Sequence, residues 1–406
     1  MTHTRRPVLH HVTIRFFFVP LLLLSILVPT ALSGMAHATA NNKTPIPLSK
    51  HSWNVVPSPS PDAQYNQLLG VAALSARDVW AVGYDRNGAE ALIEHWNGNS
   101  WRVIYGPSFD QGSALYGIAA VNRNDIWAVG YYGNPAMNTD QTLTEHWDGE
   151  HWSVVPSPNP DPSNLYYRLT GVAVISATDI WAVGSGSDPN GYTQETLTLH
   201  WDGTSWSVVT SPNPTTYDWL TAVTAIASND VWAVGYGVNS SNVYRTLTLH
   251  WDGSSWNVVT SPTPGSMFDY LYGVTAISST DVWAVGDEMN VPGSYQTLIL
   301  HWDGTQWSAV PSPDPGLLSN WLYGVAGRSA KDLWAVGVQS NPNNYASQTL
   351  TLHWNGASWN VVISPNVTVY NALYCVAMLS PGNSWAVGYT QNSDFSHRYT
   401  LTEHYH

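Results

Sequence analysis

The sequence is poor in charged residues, in basic residues and in cysteine. Charged residues occupy 10% of the 406 positions, whereas ordinary soluble domains carry about 25%. Only 14 residues are Lys or Arg, which argues against a nucleic-acid partner because that function needs a basic surface. The single cysteine, Cys375, excludes an intrachain disulfide. In their place the sequence has 12% aromatic residues, 22 of them Trp, which excludes intrinsic disorder.

The N-terminus has the layout of a secretory signal peptide. Arg5, Arg6 and Arg15 form a positive region, and an apolar run follows from Phe16 to Leu32. Small residues at 36, 38 and 40 offer two cleavage sites, which completes the pattern of an export signal. The alternative is an uncleaved anchor helix, since the run is close to the length that spans a bilayer. We predict a signal peptide over residues 1–40 and a polar lead-in over 41–50.

The rest of the chain is a sevenfold repeat with a period close to 50 residues. An Asp-x-Trp-Ala-Val-Gly segment recurs, and it is followed by a segment of the type Thr-Leu-Thr-Leu-His-Trp-Asp-Gly and then by a short Ser-Trp-x-Val-Val segment. A fourth segment, of the type Leu-Tyr-Gly-Val-Thr-Ala, precedes each Asp-x-Trp. Twenty of the 22 Trp occupy equivalent positions in these segments, and only Trp219 and Trp321 do not.

Each segment predicts one β-strand. The segments are five to eight residues long, rich in β-branched and aromatic residues and bounded by turn residues, which is typical of strands. The Asp-Gly or Asn-Gly between the third and fourth segments is a hairpin signal. Units of four antiparallel strands at this period are typical of propeller blades. We therefore predict an all-β protein in which residues 51–406 form a single seven-bladed β-propeller.

The two ends of the repeat predict how the ring closes. The repeat begins with an isolated fourth strand at Trp53 and ends with an isolated third strand at residues 400–405. Together these fragments complete the seventh blade, so the N-terminal strand should join the three C-terminal strands.

The histidine of each third strand is predicted to serve the framework. In an antiparallel pair it lies beside the aspartate that starts the second strand, for example His200 beside Asp179, and we expect a hydrogen bond between them. One copy per blade cannot converge on a single metal ion. In the last blade Asn383 replaces the aspartate. Cys375 occupies a position that is usually Gly, which favours a small, buried and inert thiol.

The pattern resembles a known family of repeats. Asp-Val-Trp-Ala-Val-Gly, followed after about 15 residues by His-Trp-Asp-Gly-x-x-Trp, is similar to the kelch repeat, and the resemblance covers residues 51–406. Kelch blades end the corresponding strand in Gly-Gly, whereas this sequence keeps one Gly. The resemblance implies a propeller like the central domain of galactose oxidase. The copper chemistry of that enzyme needs a cysteine cross-linked to tyrosine, and the position of Cys375 within a strand argues against it.

The candidate binding residues begin the first strand of each blade, at the mouth of the central channel. The long, variable connections reach the same face, and function concentrates in such loops. Aromatic rings beside Asp and Asn suit a sugar, the same mixture suits a protein interface, and a third interpretation is that the rings pack the loops onto the blades. The predicted ligand-binding residues are Tyr167, Arg168, Asp218, Trp219, Asp269, Tyr270, Asn320, Trp321 and Asn371.

The favoured function is binding, and the alternative is catalysis. We expect a secreted, monomeric module that binds an extracellular glycan or protein and that contacts a membrane only through an uncleaved signal. The alternative is a carbohydrate-active hydrolase or lyase at the channel mouth, because glycosidases need two carboxylates about 5–10 Å apart. Asp218 and Asp269 are the best such pair, with Arg168 as a third group. No phosphate loop, zinc spacing or calcium loop occurs, so no cofactor and no metal is predicted.

Overall fold

The computed structural model describes these residues: 51–86, 90–135, 139–160, 166–187, 194–340 and 346–406. Of Val291 it describes only the backbone. The predicted signal peptide (1–40) and lead-in (41–50) lie outside the described residues. Within these ranges every regular element is a β-strand, and no helix is long and apolar enough to cross a membrane.

The described residues form strands in seven groups of four. In chain order the strands are β1 (Trp53–Val55); β2 (Asn66–Ser75), β3 (Asp78–Asp85), β4 (Glu90–Trp96), β5 (Trp101–Val103); β6 (Ser113–Asn122), β7 (Asp125–Asn134), β8 (Thr139–Trp147), β9 (Trp152–Val154); β10 (Tyr167–Ser176), β11 (Asp179–Ser187), β12 (Gln194–Trp201), β13 (Trp206–Val208); β14 (Tyr217–Ala227), β15 (Asp230–Val238), β16 (Tyr244–Trp251), β17 (Trp256–Val258); β18 (Phe268–Ser278), β19 (Asp281–Val291), β20 (Ser294–Trp302), β21 (Trp307–Ala309); β22 (Ser319–Ser329), β23 (Asp332–Ser340), β24 (Ser347–Trp354), β25 (Trp359–Val361); and β26 (Tyr370–Ser380), β27 (Asn383–Gln391), β28 (Arg398–Tyr405).

Each group is an antiparallel sheet whose strands follow chain order, and we number the blades from β2 onward. Blade 3, for example, has the order β10-β11-β12-β13. Blade 7 contains β26, β27 and β28, and its fourth strand is the N-terminal β1. Trp53 pairs with Tyr405 and Val55 with Glu403. The predicted closure of the ring by both termini is therefore confirmed.

The first strands of the blades line the centre of the ring. Each contacts the first strand of the next blade, from β2 through β26 and back to β2. The contact is so close that a Cβ on Gly117 would lie 3.2 Å from the Cα of Gly171, and one on Gly324 would lie 2.9 Å from the Cα of Cys375. Only small residues fit this position, which explains why Cys375 stands where other blades have Gly or Ala. Burial raises the pKa of its thiol, as expected for an inert cysteine.

Indole rings fill the space between neighbouring blades. Trp181 of β11 lies 4.9 Å from Trp251 and 5.2 Å from Trp256 of the next blade, measured between ring centroids, and the second contact is edge to face. Such pairs contribute about 0.5–1.5 kcal/mol beyond burial. The same triplet recurs as Trp80, Trp147 and Trp152; Trp127, Trp201 and Trp206; Trp232, Trp302 and Trp307; Trp283, Trp354 and Trp359; Trp334, Tyr405 and Trp53; and Trp385, Trp96 and Trp101. The last triplet joins blade 7 to blade 1, so the ring is closed.

The predicted hydrogen bonds between aspartate and histidine are confirmed. His200 Nε2 lies 2.9 Å from Asp179 Oδ1, and in the last blade His404 Nε2 lies 2.9 Å from Asn383 Oδ1. The pairs in the other blades are Asp78 and His95, Asp125 and His146, Asp230 and His250, Asp281 and His301, and Asp332 and His353. Each histidine also lies against the tryptophan of the second strand, as His95 does against Trp80 at 4.2 Å. These histidines hold the framework together.

Candidate functional site

One end of the ring, here called the variable face, brings together the starts of the first and third strands. Tyr217 at the start of β14 pairs with Gln194 at the start of β12 in the preceding blade. Tyr370 of β26 pairs in the same way with Ser347 of β24. The long connections that lead to these strands therefore end at the same face. The predicted binding residues all lie on this face or just inside it.

Four of the predicted binding residues close their own loops. Asp218 accepts hydrogen bonds from the Thr215 amide (2.9 Å) and hydroxyl (2.8 Å). In the same way a preceding backbone amide donates to Asp269, Asn320 and Asn371, from Gly265 (2.6 Å), Gly316 (2.7 Å) and Val367 (3.0 Å) respectively. All four side chains are buried, with at most 2% exposed. Their oxygens accept hydrogen bonds that close turns, and a role of these four residues in ligand binding stays a prediction.

The arginines of this face are also engaged within the protein. Arg245 donates to the Asp269 carboxylate (2.7 Å) and to the Gly265 carbonyl (2.9 Å). Arg168, a predicted binding residue, forms an ion pair with Asp140, with its Nε 2.8 Å from the carboxylate. Its guanidinium also lies 4.3 Å from the centroid of the Tyr131 ring. These contacts cross blade boundaries, so they fasten neighbouring blades together.

Tyr167 is also part of the framework. It is 4% exposed and belongs to the hydrophobic cluster between blades 2 and 3. Its ring covers Gly186, where a Cβ would come within 2.1 Å of it. Tyr167 occupies the position that holds Asp218 in the next blade, and it fills that place with apolar surface.

The remaining three predicted residues, Trp219, Tyr270 and Trp321, each contact a further aromatic ring. Trp219 lies 5.0 Å from Tyr236 of the neighbouring strand, and Tyr236 meets Tyr270 of the next blade edge to face at 4.8 Å. Trp321 packs against Tyr295 at 5.4 Å. Trp219 and Trp321 are half-buried, whereas Tyr270 is 6% exposed. The structure therefore links Trp219 and Tyr270 through Tyr236, whereas Trp321 contacts Tyr295.

The ring contacts continue along the inner strands. Tyr270 stacks on Tyr272, with ring centroids 5.9 Å apart. Each ring then contacts the next: Tyr272 lies 5.4 Å from Tyr323, Tyr323 lies 5.1 Å from Tyr374, and Tyr374 lies 5.9 Å from Tyr389. We call this set the aromatic wall, and its members are Trp219, Tyr236, Tyr270, Tyr272, Tyr323, Tyr374 and Tyr389. Five of these tyrosines, all except Tyr270, were not among the predicted binding residues. Residues two apart share one side of a strand, so extending the alternation from Tyr270 finds Tyr272.

An acidic residue interrupts the wall. Asp287 of β19 pairs with Tyr270 of β18 and is 1% exposed. The equivalent residue of most other blades is aromatic, as Tyr236 is in blade 4. Asp287 was not among the predicted binding residues, although it is the one acidic residue that directly follows a Trp-Ala-Val-Gly segment.

The connections on the variable face also expose apolar side chains. Leu317 is 80% exposed and Phe395 is 62% exposed. Further exposed residues of these connections are Tyr166, Met267, Leu318, Val367 and Val369. Within the described ranges no group of three or more His, Cys, Asp and Glu side chains is arranged to hold a metal ion. The site therefore offers aromatic and apolar surface as its main chemistry.

The fold and this face define the chain as a β-propeller repeat protein. It is similar to the solved structure of YCF48 bound to D1 peptide, with 14% identity, a TM-score of 0.53 and coverage of 88% of this chain and 98% of that one. It is also similar to YCF48 from Cyanidioschyzon merolae, with 12% identity, a TM-score of 0.52 and coverage of 87% and 98%. No protein-family profile and no curated protein matches the chain. At these identities the likeness shows the propeller fold, and the kelch type stays a prediction.

Proposed function

We propose that this chain is an exported β-propeller that binds a polypeptide segment across its variable face. The observation that carries the proposal is that Trp219 and Trp321, two half-buried indoles of the variable face, share that face with exposed apolar side chains of the loops. The cores of protein interfaces are rich in Trp, Tyr, Phe and Met and poor in charged residues. Exposed apolar surface of this kind marks an interaction site.

The engagement of the polar groups supports a protein ligand over a sugar. A sugar site needs amides and carboxylates that are free to bind hydroxyl groups. Asp218, Asn320 and Asn371 are buried, and their side-chain oxygens accept hydrogen bonds from backbone amides. An apolar peptide side chain needs only the rings. YCF48, which shares the fold, has been solved with a bound peptide, and that precedent supports the proposal.

A glycan is the second candidate ligand, and one observation favours it. Trp219 stacks on Tyr217 with an interplanar angle of 16°, and both rings are half-buried. A flat aromatic platform of this kind can stack on the C–H face of a sugar ring. The candidate ranks second because Asp218, which lies between these two residues in the chain, already accepts hydrogen bonds from Thr215.

The hydrolase or lyase alternative relies on Asp218, Asp269 and Arg168. Each of these side chains is bound to other groups of the protein, and Asp269 is paired with Arg245. Burial raises the pKa of both carboxyl groups. We therefore rank catalysis below binding. Turnover of chromogenic glycosides that disappears in Asp269→Asn would reverse this order.

The test of the proposed function is a selection from a random peptide library displayed on phage, with the purified chain as bait. Trp219→Ala and Trp321→Ala should each lower the affinity for the selected peptides by about thirtyfold or more, as the loss of a central aromatic residue does at interfaces. Tyr105→Ala is the matched control, because Tyr105 is 88% exposed and lies beyond β5 on the outer rim of blade 1. The affinity of the Tyr105→Ala variant for the selected peptides should equal that of the wild type.

Two results would contradict the proposal. One is a selection that yields no peptide, and the other is a set of peptides indifferent to both Trp variants. The unfolding midpoint of each variant, followed by circular dichroism, separates lost binding from lost folding. A glycan array probed with the same proteins decides between the two ligand classes.

The export proposal rests on the N-terminal sequence. Protein recovered from the medium of an expressing culture should begin after Ala38 or Ala40, as read by N-terminal sequencing. Full-length protein retained in the membrane fraction would instead show that the apolar run serves as an anchor.

A further inference from the structure

Asp287 is a buried acid that has only the Tyr272 phenol beside it as a donor among the described residues. Its side chain is 1% exposed, and that phenol makes no hydrogen bond of good geometry to either carboxylate oxygen. Burying a polar group without a partner is costly, and burying an unpaired charge costs more. The aromatic or small residues that other blades carry at this position avoid that cost, namely Tyr84, Tyr131, Ser185, Tyr236, Val338 and Tyr389. The acid in blade 5 therefore needs an explanation beyond folding.

Phenol rings from three consecutive blades surround this carboxyl group. Burial is the main cause that raises the pKa of each phenol, and the charge of Asp287 raises it further. The phenols are those of Tyr236 in blade 4, Tyr270, Tyr272 and Tyr295 in blade 5, and Tyr323 in blade 6. We call these five tyrosines together with Asp287 the acid cleft.

The surroundings of the acid cleft are negative. Burial raises the pKa of Asp287 well above its usual range, the Tyr272 phenol acts in the opposite direction, and the nearby acids Asp269 and Glu288 raise it further. Among the described residues no arginine or lysine acts on Asp287. Arg245, the cation of this blade pair, is bound to Asp269. The cleft thus contains an unbalanced acid that an incoming cation would complement.

We propose that the acid cleft binds an arginine or lysine side chain of the polypeptide that the variable face recognises. Aromatic faces attract cations, most strongly where water is excluded. A carboxylate paired with a guanidinium or ammonium group forms a strong, charge-assisted hydrogen bond. The proposal rests on the proposed function and adds the chemical class of the ligand's central side chain.

The depth of Asp287 suits a long side chain. Nearer the surface, Tyr295 and Trp321 are both half-buried and their rings are in contact, with centroids 5.4 Å apart. The acid lies deeper, where exposure falls to 1%. Arginine and lysine carry their charge on a long apolar stem, so the stem would lie against these half-buried rings while the charged end reaches towards Asp287. A hard metal ion fits less well, because such ions need six or more oxygen ligands.

The first test uses small probes in solution. N-acetyl-arginine amide should quench the fluorescence of the protein and bind at least about tenfold more tightly than N-acetyl-citrulline amide, its neutral analogue, because a hydrogen bond to a charged group is worth about 1.5–3 kcal/mol. Asp287→Asn keeps the shape, removes the charge and should abolish this preference. Glu150→Gln is the control, since it removes one exposed charge from the hairpin after β8. It should change nothing.

The second test separates this inference from the proposed function. Peptides selected on the wild-type chain should share an Arg or Lys at one position, and selection on Asp287→Asn should lose that preference. Peptides that depend on Trp219 but carry no basic residue would overturn the acid cleft and leave the proposed function standing. If the chain selects no peptide but binds the arginine amide in a way that depends on Asp287, the proposed function would be overturned and the acid cleft would stand. Equal binding of the arginine and citrulline probes would also overturn the cleft.

Discussion

Three glutamates in the core predict that this protein loses stability as the pH rises. Glu94, Glu145 and Glu403 are fully buried, and none of their carboxylate oxygens has a partner among the described residues. They lie on the third strands of blades 1, 2 and 7. Blades 3 and 4 have Leu199 and Leu249 at the same position, and these are equally buried. A leucine therefore fits the site that these glutamates occupy.

The magnitude follows from the shift in pKa. Burial raises the pKa of Glu145 to about 8, from an unperturbed value of 4.5. The folded state therefore holds a proton that the unfolded chain releases, so this contribution is complete below pH 4.5 and is lost as the pH rises through about 8. One pKa unit corresponds to about 1.4 kcal/mol, so the wild type should lose about 4 kcal/mol between pH 5 and pH 9 through this residue alone.

The assay is urea unfolding followed by tryptophan fluorescence at pH 5 and pH 9. Glu145→Leu should remove this pH-dependent loss, so its free energy of unfolding should exceed that of the wild type by far more at pH 9 than at pH 5. Glu150→Leu is the matched control, because it removes an exposed acid from the same blade. Equal pH dependence in Glu145→Leu and the wild type would refute the reasoning, since it would mean that the buried carboxyl ionises without cost.

Further predictions concern the closure and the centre of the ring. Trp53→Ala should lower the free energy of unfolding by about 3–5 kcal/mol in urea, as large-to-small changes of buried aromatic residues do, and an unchanged value would show that β1 does not latch the ring. Gly117→Val should prevent folding, judged by circular dichroism, because its Cβ would lie 3.2 Å from Gly171, whereas Val at the exposed turn residue Gly293, which has open space around it, should cost only the strain of its positive φ. Cys375 is half-buried and burial raises the pKa of its thiol, so it should react with a thiol reagent far more slowly in the native protein than after denaturant is added, and equal rates would contradict its placement within the inner strands.

The fold was predictable because the sequence repeats itself. The recurring Trp, the Asp-Gly turns and the two incomplete ends predict four strands per blade, seven blades and closure by the termini, and the structure confirms each. The bond between His200 and Asp179 was also predictable, since the register of an antiparallel pair follows from the length of its segments. Such inferences depend on local sequence patterns, and the chain repeats these patterns in each of its seven blades.

The candidate site was predicted only in part. Trp219 and Trp321 stood out because the repeat does not explain them, and the structure places both on the variable face. Asp218 and Asn371 stood out for the same reason, yet their side chains close turns three or four residues away. Sequence position could not distinguish these roles, because neighbouring side chains on a strand point to opposite faces of the sheet and the sequence does not show what each face packs against.

The sequence by itself determined the number of blades, the strands within them and the face on which the connections vary. Only the tertiary structure decided which side chains on that face are free. It brings Asp287 of one blade among tyrosines of three blades, and it pairs Arg245 with an acid 24 residues away. The physical reason is that a side chain's availability depends on neighbours from adjacent blades, and those neighbours are set by how the ring packs.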